Sequence, residues 1–369
     1  MSELLATTLA HLRALVAFDT RNPPRAIGTD GMFDYLYGNL RGFDCTVVDH
    51  GAGAVSLYAV RGKPKLLFNV HLDTVPNSPH WSASPFELRV DGECAVGLGA
   101  CDIKGAAAAL LAAASMSDGD AAFLFTTDEE ANDARCISGF LASSSQPRSF
   151  EAVIVAEPTR CEAVLAHRGI SSVLMRFAGR AGHASGSDVS IASAVHQAIR
   201  WSARTLEYVE EQSYQRFGGL TGLRFNIGRF EGGIKANVIA PTAELRFGFR
   251  PLPSMDTDVL LEIFQGFADP APSAFTETFR GPALPAGDVE QAEARRLAAR
   301  DVADALGLAV GNAVDFWTEA SLFSQAGHTA LVFGPGDIAQ AHSADEWVAL
   351  AQLQEYVDTV ARLIADGHA

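Results

Sequence analysis

The stretch "AAFLFTTDEEAND", residues 121–133, joins an apolar run to a dense group of acidic side chains. Residues 121–127 have the length and composition of a buried β-strand. Glu129 and Glu130 follow side by side, with Asp128 just before them and Asp133 just after. Like charges this close repel one another and destabilise a fold unless a cation lies opposite them. The stretch therefore predicts a strand whose end serves a cation or an acid–base reaction.

Similar apolar runs recur along the chain, at residues 65–70, 152–157 and 329–334. Helical patterns such as residues 104–116 lie between the runs, and this alternation predicts helices on both faces of a mostly parallel sheet. From about residue 169 to 280 apolar and polar residues alternate, as in strands with one solvated face. Because 369 residues exceed one ordinary core, we expect an α/β fold with two domains. A three-layer catalytic domain takes residues 1–168 and 281–369, and a smaller α+β domain is inserted at 169–280.

Composition and charge exclude several classes of partner. The chain has 28 Lys plus Arg against 44 Asp plus Glu, a net charge of -16, and no basic block that could follow phosphates, so we expect no nucleic-acid partner. The N-terminus has a helical pattern rather than that of a signal peptide, and the apolar runs are shorter than the roughly 20 residues of a membrane span. Five cysteines without C-x-x-C spacing predict neither a disulfide framework nor a thiolate zinc site. We expect a cytoplasmic protein with no membrane contact.

Residue types that bind metals follow the apolar runs, where ligands of open α/β sheets are found. One further acid lies in the glycine-rich segment "GLGACDIKG", residues 97–105. Two histidines with several carboxylates and no cysteine suit zinc, cobalt or manganese. Such a set also suits a two-metal site, in which one carboxylate bridges ions about 3.5–4 Å apart. The candidate residues are His71, Asp73, Asp102, Glu129, Glu130, Glu157 and His342.

Each of these residues alone has a simpler interpretation. His71 is also compatible with a hydrogen-bonded core histidine, and Glu157 with an ordinary turn. Asp102, or the pair Glu129 and Glu130, would serve as helix N-terminal caps. The glycine-rich segment suggests a nucleotide loop, but it lacks the G-x-G-x-x-G spacing and a long preceding strand. The metal site is favoured because the simpler interpretations together require four independent coincidences at one sheet edge.

The motifs, taken in order, resemble those of the di-zinc amidohydrolases, a family that includes acetylornithine deacetylase, succinyl-diaminopimelate desuccinylase, aminoacylase and glutamate carboxypeptidase. The resemblance covers essentially the whole chain. It rests on "HLDTVP", "GLGACDIKG", "TTDEEAN", "VAEPT", "GRAGHAS", "GGIKANVIAP", "FRPLP" and "AHSADE". One departure is "GLGAC" where the family more commonly has "GRG" ahead of the aspartate.

The resemblance implies a centre of two divalent ions, Zn²⁺ or Co²⁺. His71 and Glu157 would bind one ion, Glu130 and His342 the other, and Asp102 would bridge both.

The resemblance also implies roles for two further acids of the same domain. Asp73 would accept the other ring N–H of His71 and fix its tautomer. Glu129 would act as the general base toward a water held between the ions.

Substrate contacts are implied for both domains. His183 would stabilise the oxyanion of the tetrahedral intermediate, Asn237 would be a neighbouring polar contact, and Arg250 would bind the substrate α-carboxylate. Glu319, in "TEAS", would contact either the far end of the substrate or its amine.

The implied activity is removal of the acetyl group from an N-acetyl-L-amino acid. N-acetyl-L-citrulline in arginine biosynthesis is the favoured substrate, N-acetyl-L-ornithine is the alternative, and a dipeptidase or carboxypeptidase is less favoured. The inserted domain would act as a lid and form a homodimer. A non-catalytic binding protein on the same fold would have lost the base or a ligand, whereas all six positions are filled.

Overall fold

The computed structural model describes residues 1–143, 150–187 and 189–367. The chain forms two compact units. The first comprises Met1–Leu165, Arg295–Asn312 and Thr318–Ala369, and the second comprises Ala166–Ala294 and Ala313–Trp317. The segment predicted as an insertion, residues 169–280, lies within the second unit.

The described residues form helices and strands in an order that mixes the two throughout. The helices are α1 (Glu3–Val16), α2 (Met32–Asn39), α3 (Lys104–Ser115), α4 (Arg135–Ala142), α5 (Val189–Ala192), α6 (Ala194–Glu211), α7 (Thr257–Gly266), α8 (Val289–Ala305), α9 (Ala320–Gln325) and α10 (Leu350–Ala365). The strands of the first unit are β1 (Asp44–Asp49), β2 (Val55–Arg61), β3 (Leu66–His71), β4 (Arg89–Asp91), β5 (Cys94–Val96), β6 (Ala121–Thr126), β7 (Ala152–Val155), β14 (Ala330–Val332) and β15 (Trp347–Ala349). Those of the second unit are β8 (Ile170–Ala178), β9 (Arg216–Phe217), β10 (Leu220–Thr221), β11 (Arg224–Gly232), β12 (Thr242–Arg250) and β13 (Ala274–Gly281). Short 3-10 helices cover Gln212–Tyr214 and Ile338–Gln340.

The first unit is organised around a six-stranded sheet with the order β1-β2-β6-β3-β7-β14. Strands β6, β3, β7 and β14 run parallel to one another, and β2, antiparallel to β6, and β1, antiparallel to β2, complete the sheet. Every residue of the central strands β3, β6 and β7 is buried, because both faces of the sheet are covered. The prediction of a mostly parallel sheet is confirmed.

Helices cover both faces of this sheet, because successive side chains of a strand point to opposite sides. On β2, Leu57 and Ala59 join the core formed with α1, α3 and α10. Tyr58, between them, points the other way, and its ring lies 5.2 Å from that of Phe140 on α4. Phe140 in turn contacts Phe323 of α9. The predicted three-layer α/β architecture is therefore confirmed.

The second unit is a four-stranded antiparallel sheet, β11-β12-β8-β13, with helices on one face. Along β8 buried and more exposed residues alternate, as the sequence pattern predicted. The buried face packs on Trp201 of α6, whose ring lies 4.9 Å from Phe247 and whose Nε1 donates to the Phe264 carbonyl at 2.7 Å. This is the smaller α+β unit expected from the sequence.

Throughout the described part of the chain, the helices lack the combination of length and apolar character that a membrane crossing would require.

The alanine-rich helix α3 generates a stability prediction, because its residues 104–113 are fully buried and it packs against both α1 and α10. Replacing Ala108 by leucine should destabilise the first unit by about 1–3 kcal/mol, since Ala108 is fully buried and added carbons in a packed core force neighbours to move. The measurement is the midpoint of thermal unfolding. Ala10→Leu, at an exposed site of α1, is the matched control. Equal midpoints for the two variants would contradict the close packing of α3.

Candidate metal centre

The sheet brings the ends of three parallel strands together. In register, His71 at the end of β3 lies beside Thr126 at the end of β6, and Asn69 of β3 lies beside Val155 of β7. The residues that follow β6 and β7 therefore start from the same edge as His71. This edge is the one at which the sequence predicted a site.

Two groups of candidate ligands lie at this edge. In one group ligand atoms of His71, Asp102 and Glu157 lie within 4.8 Å of one another, and in the other those of Asp102, Glu130 and His342 do. His71 Nε2 is 3.3 Å from Asp102 Oδ1 and 3.7 Å from Glu157 Oε1. His342 Nε2 is 3.0 Å from Glu130 Oε1 and 3.4 Å from Asp102 Oδ2. These are the two sets of residues that the family resemblance groups around separate ions.

Asp102 belongs to both groups, and its two carboxylate oxygens face different histidines. A carboxylate in this position has the geometry of a bridge between two cations. The alternative interpretation, a helix cap, does not apply. Helix α3 begins after Ile103, and no side-chain hydrogen bond caps it there.

The site concentrates acidic side chains around two histidines, and their pKa values are shifted. Burial raises the pKa of Glu157 well above its ordinary value, and the nearby carboxylates of Asp102 and Glu130 raise it further. Hydrogen bonds with Asp102 and Glu130 raise the pKa of His342 to about 11. The Oε1 atom of Glu157 is buried without a hydrogen-bond partner among the described residues. Because ionised carboxylates are costly to bury unpaired, this arrangement fits divalent cations held by imidazole and carboxylate ligands.

The adjacent glutamates of the opening stretch have different neighbours. The Glu130 side chain is paired with His342, whereas Glu129 belongs to neither ligand group in the residues described. Burial raises the pKa of Glu129 well above its ordinary value, and the charges of Glu157 and Glu130 add to the effect. A carboxylate with a raised pKa, next to the candidate metal ligands, is suited to accept and donate a proton.

Asp73 supports both His71 and the glutamate loop. The Nδ1 atom of His71 is 3.1 Å from the main-chain carbonyl oxygen of Asp73 and 3.6 Å from its carboxylate Oδ1. The other carboxylate oxygen, Oδ2, accepts hydrogen bonds from Glu130 N and from Asn22 Nδ2, both at 3.0 Å. The expected partnership with His71 therefore involves the carbonyl more closely than the carboxylate. Nothing in the sequence singled out Asn22.

The remaining acids of the opening stretch make structural contacts. The Oδ2 atom of Asp128 accepts a hydrogen bond from Cys136 N at 3.0 Å, in the first turn of α4. The Oδ2 atom of Asp133 accepts from Arg25 Nη2 at 3.1 Å and from Arg135 Nε at 2.8 Å. These pairs hold the loop that carries the two glutamates.

Glu346 is a site residue that the sequence did not single out, although it ends the quoted motif "AHSADE". It is 2% exposed, and its carboxylate accepts hydrogen bonds from main-chain N–H groups of the segment that carries Asp102, those of Gly99, Cys101 and Asp102 itself. An acid four residues after a candidate histidine ligand was the available signal.

Glu319 lies close to the same sheet edge but is 1% exposed. Its Oε2 atom accepts a hydrogen bond from Thr126 Oγ1 at 2.9 Å, and burial raises its pKa to about 8. Its contact with a substrate stays a prediction.

Three predicted residues lie in the second unit and are described within it. His183 is exposed, forms an isolated bridge with Val238, and has Nδ1 2.8 Å from Ser185 Oγ. Ala184 N donates to the carbonyl of Asn237 at 3.2 Å, so His183 and Asn237 belong to adjoining segments. Arg250 ends β12. Their roles toward a substrate stay predictions.

The chain is similar to deacetylases. It is 70% identical over 369 residues, covering 100% of both chains, to N-acetyl-L-citrulline deacetylase of Xanthomonas campestris pv. campestris. It is 32% identical over 299 residues to acetylornithine deacetylase of Pectobacterium carotovorum subsp. carotovorum, covering 78% of this chain and 76% of the relative.

The fold is shared with solved structures of lower identity. An M20 family metallo-carboxypeptidase from Sulfolobus solfataricus has a TM-score of 0.73 and 14% identity, and the likeness covers 100% of each chain. At that identity the likeness concerns the fold alone.

Family membership follows from a match over most of the chain. Residues 67–366 match the peptidase family M20/M25/M40. The resemblance inferred from the motifs, and the expectation of a hydrolytic enzyme with bound metal, are confirmed at this level. The chain belongs to peptidase family M20/M25/M40.

Proposed function

We propose that this enzyme hydrolyses N-acetyl-L-citrulline to citrulline and acetate, a step of arginine biosynthesis. The observation that carries the proposal is the 70% identity, over the full length of both chains, to a deacetylase of that substrate. The candidate ligands and base are all present at one sheet edge. N-acetyl-L-ornithine is the second candidate substrate, because the chain is also 32% identical to an acetylornithine deacetylase.

Two divalent ions, Zn²⁺ or Co²⁺, are proposed for the centre. His71, Asp102 and Glu157 would hold one ion, and Asp102, Glu130 and His342 the other. Support comes from the imidazole and carboxylate donors and from the position of Asp102 in both groups. Bound ions would supply Lewis acidity, which polarises the amide carbonyl and lowers the pKa of the attacking water.

Glu129 is proposed as the general base. Its carboxylate would accept a proton from the attacking water and donate that proton to the leaving amine nitrogen as the C–N bond breaks. The raised pKa of Glu129 supports this role, because the protonated form is then a stable intermediate state of the side chain. Asp73 would keep the His71 ring and the Glu130 main chain in position through the contacts described above.

Residues of the second unit are proposed to bind the substrate. His183 would donate to the oxyanion, with Asn237 as a polar neighbour on the adjoining segment. Arg250 would bind the α-carboxylate, since a planar guanidinium can donate two parallel hydrogen bonds to it.

We propose the cytoplasm as the compartment. All five cysteines are free thiols in the structure, and a reducing compartment keeps thiols in that state.

A homodimer formed through the second unit is also proposed, and it should be visible in solution. Strand β11 is an edge strand of nine residues, paired with β12 on one side, and edge strands of this length favour pairing with another chain. Exposed apolar side chains lie nearby in the chain, since Phe230 is 42% exposed and Ile234 is 76% exposed.

Light scattering after size-exclusion chromatography should give a mass near twice 39.1 kDa. Phe230→Glu should shift that mass toward the monomer, because it places a charge on the exposed surface of the edge strand. A wild-type mass of one chain would contradict the dimer.

The two adjacent glutamates should respond differently to the same substitution. Glu129→Gln should lower kcat for N-acetyl-L-citrulline by about 10²–10⁴-fold, as loss of a general base does, while two ions per chain stay bound. Glu130→Gln should lose bound metal, since an amide is a weaker ligand than a carboxylate. Activity and metal content by mass spectrometry are measured on the same dialysed samples. Turnover that survives in Glu129→Gln would refute the assignment of Glu129 as the general base. Loss of metal from that variant would show that Glu129 is a ligand.

Substrate preference distinguishes the two candidate reactions. We expect kcat/KM for N-acetyl-L-citrulline to exceed that for N-acetyl-L-ornithine by about tenfold or more, since a site for a neutral ureido group leaves a cationic amine unpaired. We expect kcat/KM for dipeptides to be lower than for either acetylated amino acid. The assay measures all three with zinc and with cobalt. Comparable or faster turnover of N-acetyl-L-ornithine would overturn the citrulline assignment and leave the mechanism unaffected.

A further inference from the structure

The carboxylate of Glu346 is anchored to the segment that carries Asp102. Its Oε1 atom accepts hydrogen bonds from Cys101 N and Asp102 N, both at 2.9 Å, and its Oε2 atom accepts from Gly99 N at 3.0 Å. Three main-chain donors on one carboxyl group fix both its oxygens, because each oxygen accepts from a donor whose position is set by the main chain. The side chain is therefore a clamp on residues 99–102.

This clamp belongs to the same short segment as a candidate ligand. Glu346 follows His342 by four residues, and the Glu346 carbonyl accepts from Gly97 N at 3.0 Å. Directly after Glu346, strand β15 pairs with β5, which directly precedes Gly97. Residues 94–97 are thus bonded to the main chain of residues 346–349. Residues 99, 101 and 102 are bonded to the side chain of Glu346. The position of Asp102 relative to His342 is set through these bonds.

We infer that Glu346 is a positioning residue for the bridging carboxylate, and that through Asp102 it controls the affinity of both ions together. This inference rests on the proposed metal centre. Glu346 belongs to neither ligand group within the described residues. Its effect is exerted on the main chain of Asp102, which is common to the two groups. A ligand such as Glu157 belongs to one group, so its loss should weaken one ion more than the other.

The test is a Co²⁺ titration of protein stripped with a chelator, followed by visible absorbance and by equilibrium dialysis with metal analysis. Glu346→Gln should weaken both Co²⁺ affinities in parallel, each by about 10- to 100-fold, the usual loss for a residue that orients a metal ligand. The reason is that glutamine keeps one acceptor oxygen and turns an amide N–H₂ toward main-chain donors. Glu157→Gln should weaken the two affinities unequally.

Asp345→Asn is the matched control, since it removes one negative charge from the neighbouring residue. Asp345 makes a partly exposed ion pair with Arg89, with a distance of 2.7 Å between Oδ1 and Nη2. Its loss should leave both affinities within about twofold of the wild type. Equal weakening by Asp345→Asn and Glu346→Gln would overturn the inference in favour of a general effect of charge.

Folding of Glu346→Gln is checked by circular dichroism of the stripped protein. Should this variant not fold, Glu346→Asp is measured instead. It keeps the charge but withdraws the carboxylate by one methylene group, so parallel weakening of both ions is expected again. Unchanged affinities in whichever variant folds, or weakening of one ion alone, would overturn the positioning role.

The titration contains no substrate, so it separates this inference from the proposed reaction. Two ions bound with no deacetylation would refute the reaction and leave the Glu346 result valid. Wild-type protein that binds fewer than two Co²⁺ ions would refute the metal centre and the inference together.

Discussion

Asp102 is the constraint on which the candidate site depends, because its two carboxylate oxygens face two different histidines, at 3.3 and 3.4 Å. A shared carboxylate requires two ligand groups to lie within a few ångströms of each other on opposite sides of one side chain. The parallel order of β6, β3 and β7 meets that requirement, since it brings residues distant in sequence to one sheet edge. The result is a cluster of acidic side chains around two histidines, and ionised carboxylates in such a cluster are costly to bury without a cation opposite them.

The main chain around the ligands adopts conformations that depend on their surroundings. Gly99 has a φ of +77°, and a Cβ atom there would lie 2.8 Å from Thr74 Cγ2, so only glycine fits. His342 has a φ of +58°, which costs a non-glycine residue about 1 kcal/mol or more. Such conformations persist where neighbouring bonds determine them. The Glu346 clamp and the pairing of β15 with β5 are the bonds next to both residues.

The doubled glutamate places two chemically identical neighbours in different surroundings. Glu130 is held by its main-chain bond to Asp73 and by its side-chain contact with His342. Glu129 has no place in either ligand group of the described residues, and its pKa is raised by burial beside them. The difference comes from the neighbours of each side chain. The proposed division of roles, metal ligand for Glu130 and base for Glu129, rests on this difference in contacts, since burial raises the pKa of both carboxyls.

The sequence by itself determined the central strands, the fold class and the family, because hydrophobic periodicity and motif spacing are local properties of the chain. It also determined the candidate ligand types, since they stand at or after the ends of apolar runs or, for Asp102, in a glycine-rich turn. Only the tertiary structure decided which acids are clamps and which are candidate ligands. Glu346 bonds to residues more than 240 positions away, Asn22 reaches Asp73, and Asp128 contacts α4 rather than the ligand groups. The sequence around a carboxylate does not indicate these partners, because they are brought to it by the folding of distant parts of the chain.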